Sequence, residues 1–408
     1  MTYAFLKVIT FGLTCIMALF IVLISINIFI WWRMLSDLKN RPKVARIIVI
    51  IVSSVLSGLL LFLIGRILSF NGEFSEPRNI ASHLDLGAMV ALLVSMTISY
   101  LTVGIITLLL RPVLHKKIKD AIWVNAALAG LLIMLFTDGY FRQRFNLKIL
   151  RKDIFIESPG KKLDGLKIAF ISDLHLATFY GHYDKLNTLV DSVNSFRPDI
   201  MINGGDFISY GWQEFGRCDT ILKKVQAPSG SFAVTGNHDD GTYYPFYNPG
   251  YGRQCIDTLK KKISKSGYLL LSDTAATVTY NKAMVSVSGV TTKGHHLNIT
   301  YGDFNKALAH DSSALSVLIL HDPAGWDKAL ASSDPPDLTL SGHTHGMQLG
   351  LPVPGGYISP SALFHKYWRG YYSKGRSQLY VTSGIGDTGM AERIFMPPEI
   401  ILLTIREK

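Results

Sequence analysis

Charge-free apolar runs dominate the first third of the chain, and short apolar runs ending in polar blocks dominate the remainder. A helix that crosses a bilayer core needs about 20 apolar residues, with a range of roughly 17–25. Four runs of that kind predict a transmembrane region at 1–140, with helices at about 8–32, 45–66, 86–110 and 119–139. The charge-free cores of these helices are Phe11–Ile30, Ile47–Ile64, Leu86–Leu110 and Ala121–Thr137.

The second part of the chain has a different pattern, typical of a folded α/β domain. Its apolar runs are short, as in buried strands, and the strand–helix–strand pattern from Leu166 to Asn203 predicts a βαβ unit. Residues 274–290 predict a β-hairpin that turns at Asn281-Lys282. We therefore expect an α/β domain at 166–408, joined to the membrane region by a connector at 141–165.

Composition and charge agree with this division. The chain is 48% hydrophobic and 17% charged, whereas soluble domains are about 25% charged. Residues 1–150 hold 15 of the 41 basic residues and 6 of the 30 acidic ones, so most of the net charge of +11 lies there. We attribute this basic excess to the positive-inside bias of membrane proteins and expect no nucleic-acid partner.

Loop charge predicts a membrane orientation. Loops 33–46 and 111–120 carry five and four basic residues, whereas loop 65–85 carries two basic and three acidic residues. Basic loops remain in the cytoplasm, so we expect a multi-pass protein of the cell membrane with both termini and the α/β domain outside the cytoplasm. Basic residues after the fourth run, such as Arg142, conflict with this orientation, so an inward-facing domain stays open.

Five strand-like runs lead directly into residue types that bind metals. Ligands gather at the carboxyl ends of strands in α/β proteins, so blocks far apart in sequence can converge on one point. Mixed Asp, Asn and His ligation suits manganese, iron or zinc, and two such ions can share a carboxylate. The blocks are Asp173-Leu174-His175, Gly204-Gly205-Asp206, Gly236-Asn237-His238-Asp239, His321-Asp322 and Gly342-His343-Thr344-His345-Gly346.

The five blocks, in this order, resemble those of the calcineurin-like metallophosphoesterases over about 166–405. The most similar branch is the bacterial membrane-associated one, and Met347 stands where that branch commonly has glycine. The resemblance implies a four-layer domain in which two mixed β-sheets are flanked by helices. Further matching stretches are Leu351-Pro352, Gly384-Ile385-Gly386 and Pro398-Glu399.

The resemblance also implies roles for the individual residues. His238 would be a catalytic residue that protonates the leaving oxygen or stabilises charge, and Asp239 would orient it. A metal-bridging hydroxide would attack phosphorus directly. One divalent ion would take Asp173, His175, Asp206 and His345, and the other would take Asp206, Asn237, His321 and His343.

The sequence thus predicts a membrane-anchored dimetal hydrolase of a phosphodiester, pyrophosphate or phosphomonoester. Tethering holds the site close to lipid head groups, so we expect the bilayer as a partner and a lipid-linked or membrane-surface substrate. One alternative is a cytoplasm-facing phosphatase of nucleotides or phosphoproteins. Another is a membrane sensor or transporter with a regulatory metal-binding domain, although the runs lack the charged residues that mark transport paths. The oligomeric state stays open.

Overall fold

A computed structural model of the chain describes residues 77–114, 121–157, 162–244, 247–295, 298–309 and 314–407, together with positions 43, 47, 51 and 58. The predicted membrane helices at about 8–32 and 45–66 lie outside the described residues, apart from three of those single positions. The chain divides into two compact units, Met1–Asn71 with Asp85–Asp138, and Gly72–Leu84 with Gly139–Lys408. Each unit is described by itself.

Two long helices provide most of the described residues of the first unit, although residues 77–84 and 139–141 of these helices belong to the second unit. They are α1 (Pro77–Leu114) and α2 (Ala121–Phe141), and they cover the third and fourth predicted helices. Leu92 and Met96 of α1 pack against Leu132, Ile133 and Phe136 of α2. Within the described part of the chain, one stretch, 77–99, is long and apolar enough to cross a bilayer. The four-helix membrane region therefore stays a prediction.

A six-stranded mixed sheet carries the first three metal-ligand blocks in the second unit. Its spatial order is edge strand β1, then β16, β2, β3, β4 and β5. β1 is parallel to β16, β16 is antiparallel to β2, and β2 to β5 run parallel. These strands are β1 (Lys148–Ile156), β2 (Lys167–Ile171), β3 (Ile200–Asn203), β4 (Ser231–Ala233), β5 (Leu269–Leu270) and β16 (Glu399–Glu407).

A second six-stranded mixed sheet carries the last two blocks. Its order is β14, β15, β11, β10, β7, β6, and the four middle strands are parallel. The hairpin of β6 and β7 turns at Asn281-Lys282 as predicted, with both residues in the left-handed region. The strands are β6 (Thr274–Tyr280), β7 (Ala283–Val290), β10 (Leu315–Leu320), β11 (Leu338–Ser341), β14 (Gly370–Lys374) and β15 (Ser377–Val381).

Helices cover the outer faces of the two sheets. Ile202 of the first sheet and Val317 of the second belong to one buried core, so the sheets pack face to face. Val190 and Leu259 cover the first sheet from outside, and Trp326 covers the second. The predicted mixed-sheet α/β class is confirmed. The helices are α3 (Tyr183–Phe196), α4 (Cys218–Leu222), α5 (Pro249–Lys265), α6 (Phe304–Leu308), α7 (Trp326–Leu330) and α8 (Ser361–Phe364).

The predicted connector at 141–165 is wrong in one respect, because it contains the nine-residue strand β1. β1 pairs with β16 from Lys148↔Glu399 to Ile156↔Glu407. Four of its six exposed positions carry charged side chains, as edge strands often do, and the strand shows no regular alternation in the sequence. Smaller pairs complete the unit: β8 (Thr292–Lys293) with β9 (Thr300–Tyr301), and β12 (Leu351–Val353) with β13 (Gly356–Ile358).

Candidate metal centre

Five parallel strands deliver the predicted ligands to one place. Asp173 follows β2, Asp206 follows β3 and Asn237 follows β4, whereas His321 follows β10 and His343 follows β11. The carboxyl ends of parallel strands share an edge, so the two facing sheets bring these loops together. The convergence that the sequence predicts is therefore present in the fold.

The backbone of these loops is strained at the ligand positions. Asp173, His175, Asp206, His343 and His345 all have positive φ, between 39° and 71°. Residues other than glycine rarely adopt this region, and such strain collects at functional sites. The surrounding structure must hold these five residues in place, which fits a site that is arranged before its ligand binds.

Glycines make room for the buried carboxylates. A β-carbon at Gly236 would lie 2.1 Å from Asp206 Oδ1, and one at Gly342 would lie 2.1 Å from Asp173 Oδ2. Any side chain at either position would therefore displace a carboxylate. The glycines of the Gly-Asn-His-Asp and Gly-His-x-His blocks thus have a steric role at the centre.

One group of ligand atoms comes from Asp173, His175 and His345, which are all buried. The Nε2 atoms of His175 and His345 are 3.1 Å apart, and His345 Nε2 lies 3.5 Å from Asp173 Oδ1. Asp173 Oδ2 is buried without a hydrogen-bond partner within the described structure. A buried carboxylate oxygen in that state fits a cation ligand.

A second group contains Asp206, His321 and His343. His321 Nε2 lies 3.2 Å from Asp206 Oδ2. Asn237 Oδ1 lies 3.1 Å from His321 Nε2 and 2.9 Å from His343 Nδ1, so its oxygen points into the same group. These are the four residues that the resemblance assigns to one ion.

The carboxylate of Asp206 lies between the two groups. Its Oδ2 is 3.2 Å from His321 Nε2 in the second group and 3.8 Å from His175 Nε2 in the first. Asp206 can therefore contribute to both. With imidazole, carboxylate and amide donors, the set fits divalent metal ions. The ligand roles themselves stay predictions.

The pKa values of Asp206 and His321 depend on each other. Burial alone would raise the pKa of Asp206, but the adjacent His321, His238 and His175 together outweigh burial and lower that pKa well below its usual range. Burial opposes protonation of His321, yet Asp206 raises the His321 pKa to about 10. Without a cation, the pair thus retains a proton. A metal ion would replace that proton, so metal binding should release it.

Hydrogen bonds at the Nδ1 atoms of three histidines orient their imidazole rings. His321 Nδ1 lies 2.9 Å from the Gly204 carbonyl oxygen, to which it can donate, leaving Nε2 with a lone pair for a metal. His175 Nδ1 lies 3.0 Å from Ser209 Oγ. His345 Nδ1 lies 3.4 Å from the guanidinium of buried Arg393. Partners of this kind fix ring orientation and tautomer.

His238 lies beside the first group. Its Nδ1 can donate to the Ser209 carbonyl oxygen at 2.7 Å, and its ring lies edge-on to His175, with 5.0 Å between centroids. Tyr243 stacks on it with 3.8 Å between centroids. Burial lowers the pKa of His238, whereas Asp206 opposes that shift. The structure thus places His238 next to the first ligand group.

The predicted orienting role of Asp239 is wrong. Its Oδ1 accepts hydrogen bonds from the amides of Phe207 and Ile208, and its Oδ2 accepts from the amide of Gly236. The Nδ1 of His238 faces the Ser209 carbonyl instead. Asp239 holds the loops that follow β3 and β4 together, so its contribution to the site is structural.

Three residues that sequence reasoning missed support the centre. The Tyr243 hydroxyl accepts from Asn237 Nδ2 at 2.9 Å, which turns the amide oxygen toward the histidines. Buried Glu214 accepts backbone hydrogen bonds from Ser209 and three other amides. Arg393 reaches the centre from near the C-terminus. No motif marks these residues, because their roles depend on loops that meet only after folding.

Known proteins resemble this chain. The family model described as calcineurin-like phosphoesterase matches residues 166–347. The metallophosphoesterase YkuE of Bacillus subtilis is 31% identical over 252 residues, covering 60% of this chain and 80% of YkuE. Phosphodiesterase YaeI of Escherichia coli is 24% identical and covers 59% and 82%. A Danio rerio transmembrane protein with a metallophosphoesterase domain is 26% identical and covers 64% and 57%.

Proposed function

The chain belongs to the calcineurin-like metallophosphoesterase family, and we propose that it is a membrane-anchored phosphodiesterase that uses two divalent ions. The observation that carries this proposal is the Asp206 carboxylate between two buried ligand groups. When bound, a pair of divalent ions supplies activated water and neutralises phosphoryl oxygens. His175 and His345 would help to hold one ion, and His321 and His343 the other.

His238 would act on the substrate itself. Its imidazole lies beside the first ligand group, and the Ser209 carbonyl fixes its Nδ1, so Nε2 would face the leaving oxygen. Although burial lowers the pKa of His238, Asp206 favours the doubly protonated ring, whose Nε2 proton would pass to the leaving oxygen while Nδ1–H stays on the Ser209 carbonyl and the ring becomes neutral. Such proton donation contributes about 10²–10⁴-fold to rate. The similarity to phosphodiesterase YaeI supports a phosphodiester as the substrate class. Pyrophosphates and phosphomonoesters share the same phosphoryl oxygens and are the comparison substrates.

Membrane anchoring is the second part of the proposal. It is supported by the charge-free runs, by the apolar stretch 77–99 and by the similarity to the transmembrane protein of Danio rerio. An anchored site meets lipid head groups at high effective concentration, so we propose a lipid-linked or membrane-surface phosphoester as substrate. Loop charge favours a catalytic unit outside the cytoplasm, and protease added to intact cells would then cleave that unit.

The activity test uses purified full-length protein, stripped of metal and then supplied with manganese. We expect manganese-dependent hydrolysis of an aryl phosphodiester that exceeds hydrolysis of the matching phosphomonoester. Asp206→Ala should abolish turnover and metal binding. His238→Asn should retain metal and lose about 10²-fold or more in kcat. Exposed Asp191→Ala and His182→Asn serve as matched controls that retain activity.

Two results would contradict the proposal. If the wild-type protein binds manganese and hydrolyses none of these esters, the metal centre has a different role. If His238→Asn retains full kcat, His238 does not act on the substrate. Loss of activity in the control variants would instead indicate a folding defect.

A further inference from the structure

The segment 347–364 follows the metal-site residue His345 almost directly and contains no charged residue. It exposes large apolar side chains: Leu363 is 82% exposed, Phe364 72% and Ile358 62%. The other exposed apolar side chains of the segment include Met347, Leu349 and Leu351. Single exposed apolar residues are ordinary, but a concentration of them in one charge-free segment marks an interaction surface.

The base of this segment is fixed by hydrogen bonds. Ser359 Oγ donates to the Gly346 carbonyl at 2.8 Å, and Ser359 and Ser361 are buried. Gln348 Nε2 donates to the carbonyl of Met390 at 3.1 Å and to that of Glu392 at 3.0 Å. The polar groups thus face inward and the apolar groups outward. This amphipathic arrangement is part of the fold and differs from a loose loop.

Backbone bridges and a hydrogen bond link the 347–364 segment to the residues of the second unit that follow α2. Leu349 forms backbone bridges with Ile394 and Phe395, and the Phe395 amide donates to Gln143 Oε1 at 2.7 Å. Gln143 comes two residues after α2 ends at Phe141, whose side chain is 73% exposed. These contacts, all within the second unit, tie the 347–364 segment to the residues that follow α2 in the chain.

Basic and aromatic groups border the apolar side chains. Lys148 Nζ lies 3.5 Å from the Tyr357 hydroxyl, and the Arg369 guanidinium lies 4.2 Å from the centre of the Tyr357 ring. Tyrosine, lysine and arginine next to exposed leucine and phenylalanine are typical of surfaces at a bilayer interface. Arg369 is already paired with buried Glu399, so exposed Lys148 is the positive charge that would complement the negative head groups of anionic lipids.

We propose that the 347–364 segment docks on an anionic bilayer, with Leu363 and Phe364 among the acyl chains. This inference rests on the proposed function and specifies how the substrate reaches it. The segment begins two residues after His345, so docking places lipid phosphoesters beside the metal centre. The unit would then act on phosphoesters within the membrane surface in preference to soluble ones.

The first test is lipid labelling of the full-length protein in nanodiscs that contain anionic phospholipid and a diazirine-bearing phospholipid. After irradiation, we expect labelled peptides from 347–364, and loss of that label in the Leu363→Ser/Phe364→Ser variant. Leu269→Ser, at a leucine on β5 that is 54% exposed, should retain the label. Label confined to the helices would overturn the proposal, as would a separate bifunctional cross-linker that joins 347–364 to a second copy or to another protein in place of lipid.

The second test separates docking from catalysis. The double variant should hydrolyse a soluble aryl phosphodiester as fast as the wild type. Its KM for a fluorogenic phosphodiester lipid in the nanodisc should rise about tenfold or more, because two large apolar side chains no longer enter the bilayer. Equal losses on both substrates would show a merely structural role and overturn the inference. Wild-type protein that labels normally but hydrolyses neither ester would refute only the proposed function.

Discussion

Individual residues at the centre fall into two classes. The predicted ligands could be identified from residue type and order, because His, Asp and Asn side chains are common metal ligands and the motifs place them at strand ends. Tyr243 and Ser209 belong to the other class. They are ordinary residues in the sequence and gain a role only through contacts with Asn237, His175 and His238.

Tyr243→Phe tests the second class. The change removes the hydroxyl that accepts from Asn237 Nδ2, so the amide can rotate its oxygen away from His321 and His343. Loss of such an outer partner typically weakens metal affinity about 10–100-fold. We expect this loss at one of the two ions, measured by titrating metal-stripped protein with manganese.

The matched control for that titration is Tyr280→Phe, on β6. An unchanged affinity in Tyr243→Phe would show that other contacts hold the Asn237 amide in place.

Among the elements, the buried parallel strands were the easiest to predict and the edge strand the hardest. Runs such as Ile168–Ile171 are continuously apolar because both faces of the strand are buried. β1 carries Arg151, Lys152 and Asp153 on an exposed edge, so its pairing with β16 could not be read from alternation. The conformation of the loop after β3 could not be predicted either. It depends on hydrogen bonds to Glu214, and no sequence motif marks that residue.

Glu214→Ala tests that loop. The carboxylate accepts hydrogen bonds from the amides of Ser209, Tyr210, Gly211 and Ala177, and its removal leaves those buried donors without partners. We expect the free energy of unfolding to fall by about 3 kcal/mol. Ser209 also bonds to the two site histidines, so metal affinity should fall as well. Denaturant unfolding and metal titration measure the two effects.

Glu214→Gln is the matched comparison, because its amide oxygen keeps part of the acceptor capacity. It should lose less stability than Glu214→Ala. Equal stability of the alanine variant and the wild type would mean that water replaces the carboxylate at this loop.

At the scale of the whole molecule, the metal centre joins two sheets that contribute different ligands. Asp173 and Asp206 come from loops of the first sheet, and His321, His343 and His345 come from loops of the second. Bound ions would therefore connect the two halves of the catalytic unit. An ion that binds only the folded state stabilises it in proportion to its concentration.

Manganese should consequently raise thermal stability. At about 100 times its dissociation constant, one bound ion adds about 2.7 kcal/mol to the free energy of unfolding. We expect a higher melting temperature of metal-stripped protein when manganese is added, measured by scanning calorimetry. In Asp206→Ala this increase should be largely lost. A similar increase in that variant would place the stabilising ion elsewhere.

Stability should also depend on pH through buried Glu392. Burial, with help from Asp387, raises the pKa of Glu392 to about 9, although Arg144 opposes the shift. In the unfolded chain the same carboxyl ionises near its usual value of 4.5. Between these values the folded state holds a proton that the unfolded state has released, so this contribution falls as pH rises from about 4.5 to about 9.

Glu392→Gln removes that titration. Its melting temperature relative to the wild type should be nearly unchanged at pH 5 and should increase steadily toward pH 8.5. Exposed Glu157→Gln is the control and should show no such trend. A difference that does not vary with pH would mean that Glu392 is already ionised in the folded protein.

The sequence by itself determined the chemistry of this protein and much of its fold class. Residue type sets what can bind a metal, and local apolar pattern sets where buried strands and long helices form. Only the tertiary structure decided that Asp239 braces two loops, that β1 completes a sheet, and that Tyr243 and Glu214 support the centre. Such roles depend on contacts between residues far apart in the chain, which local pattern does not encode.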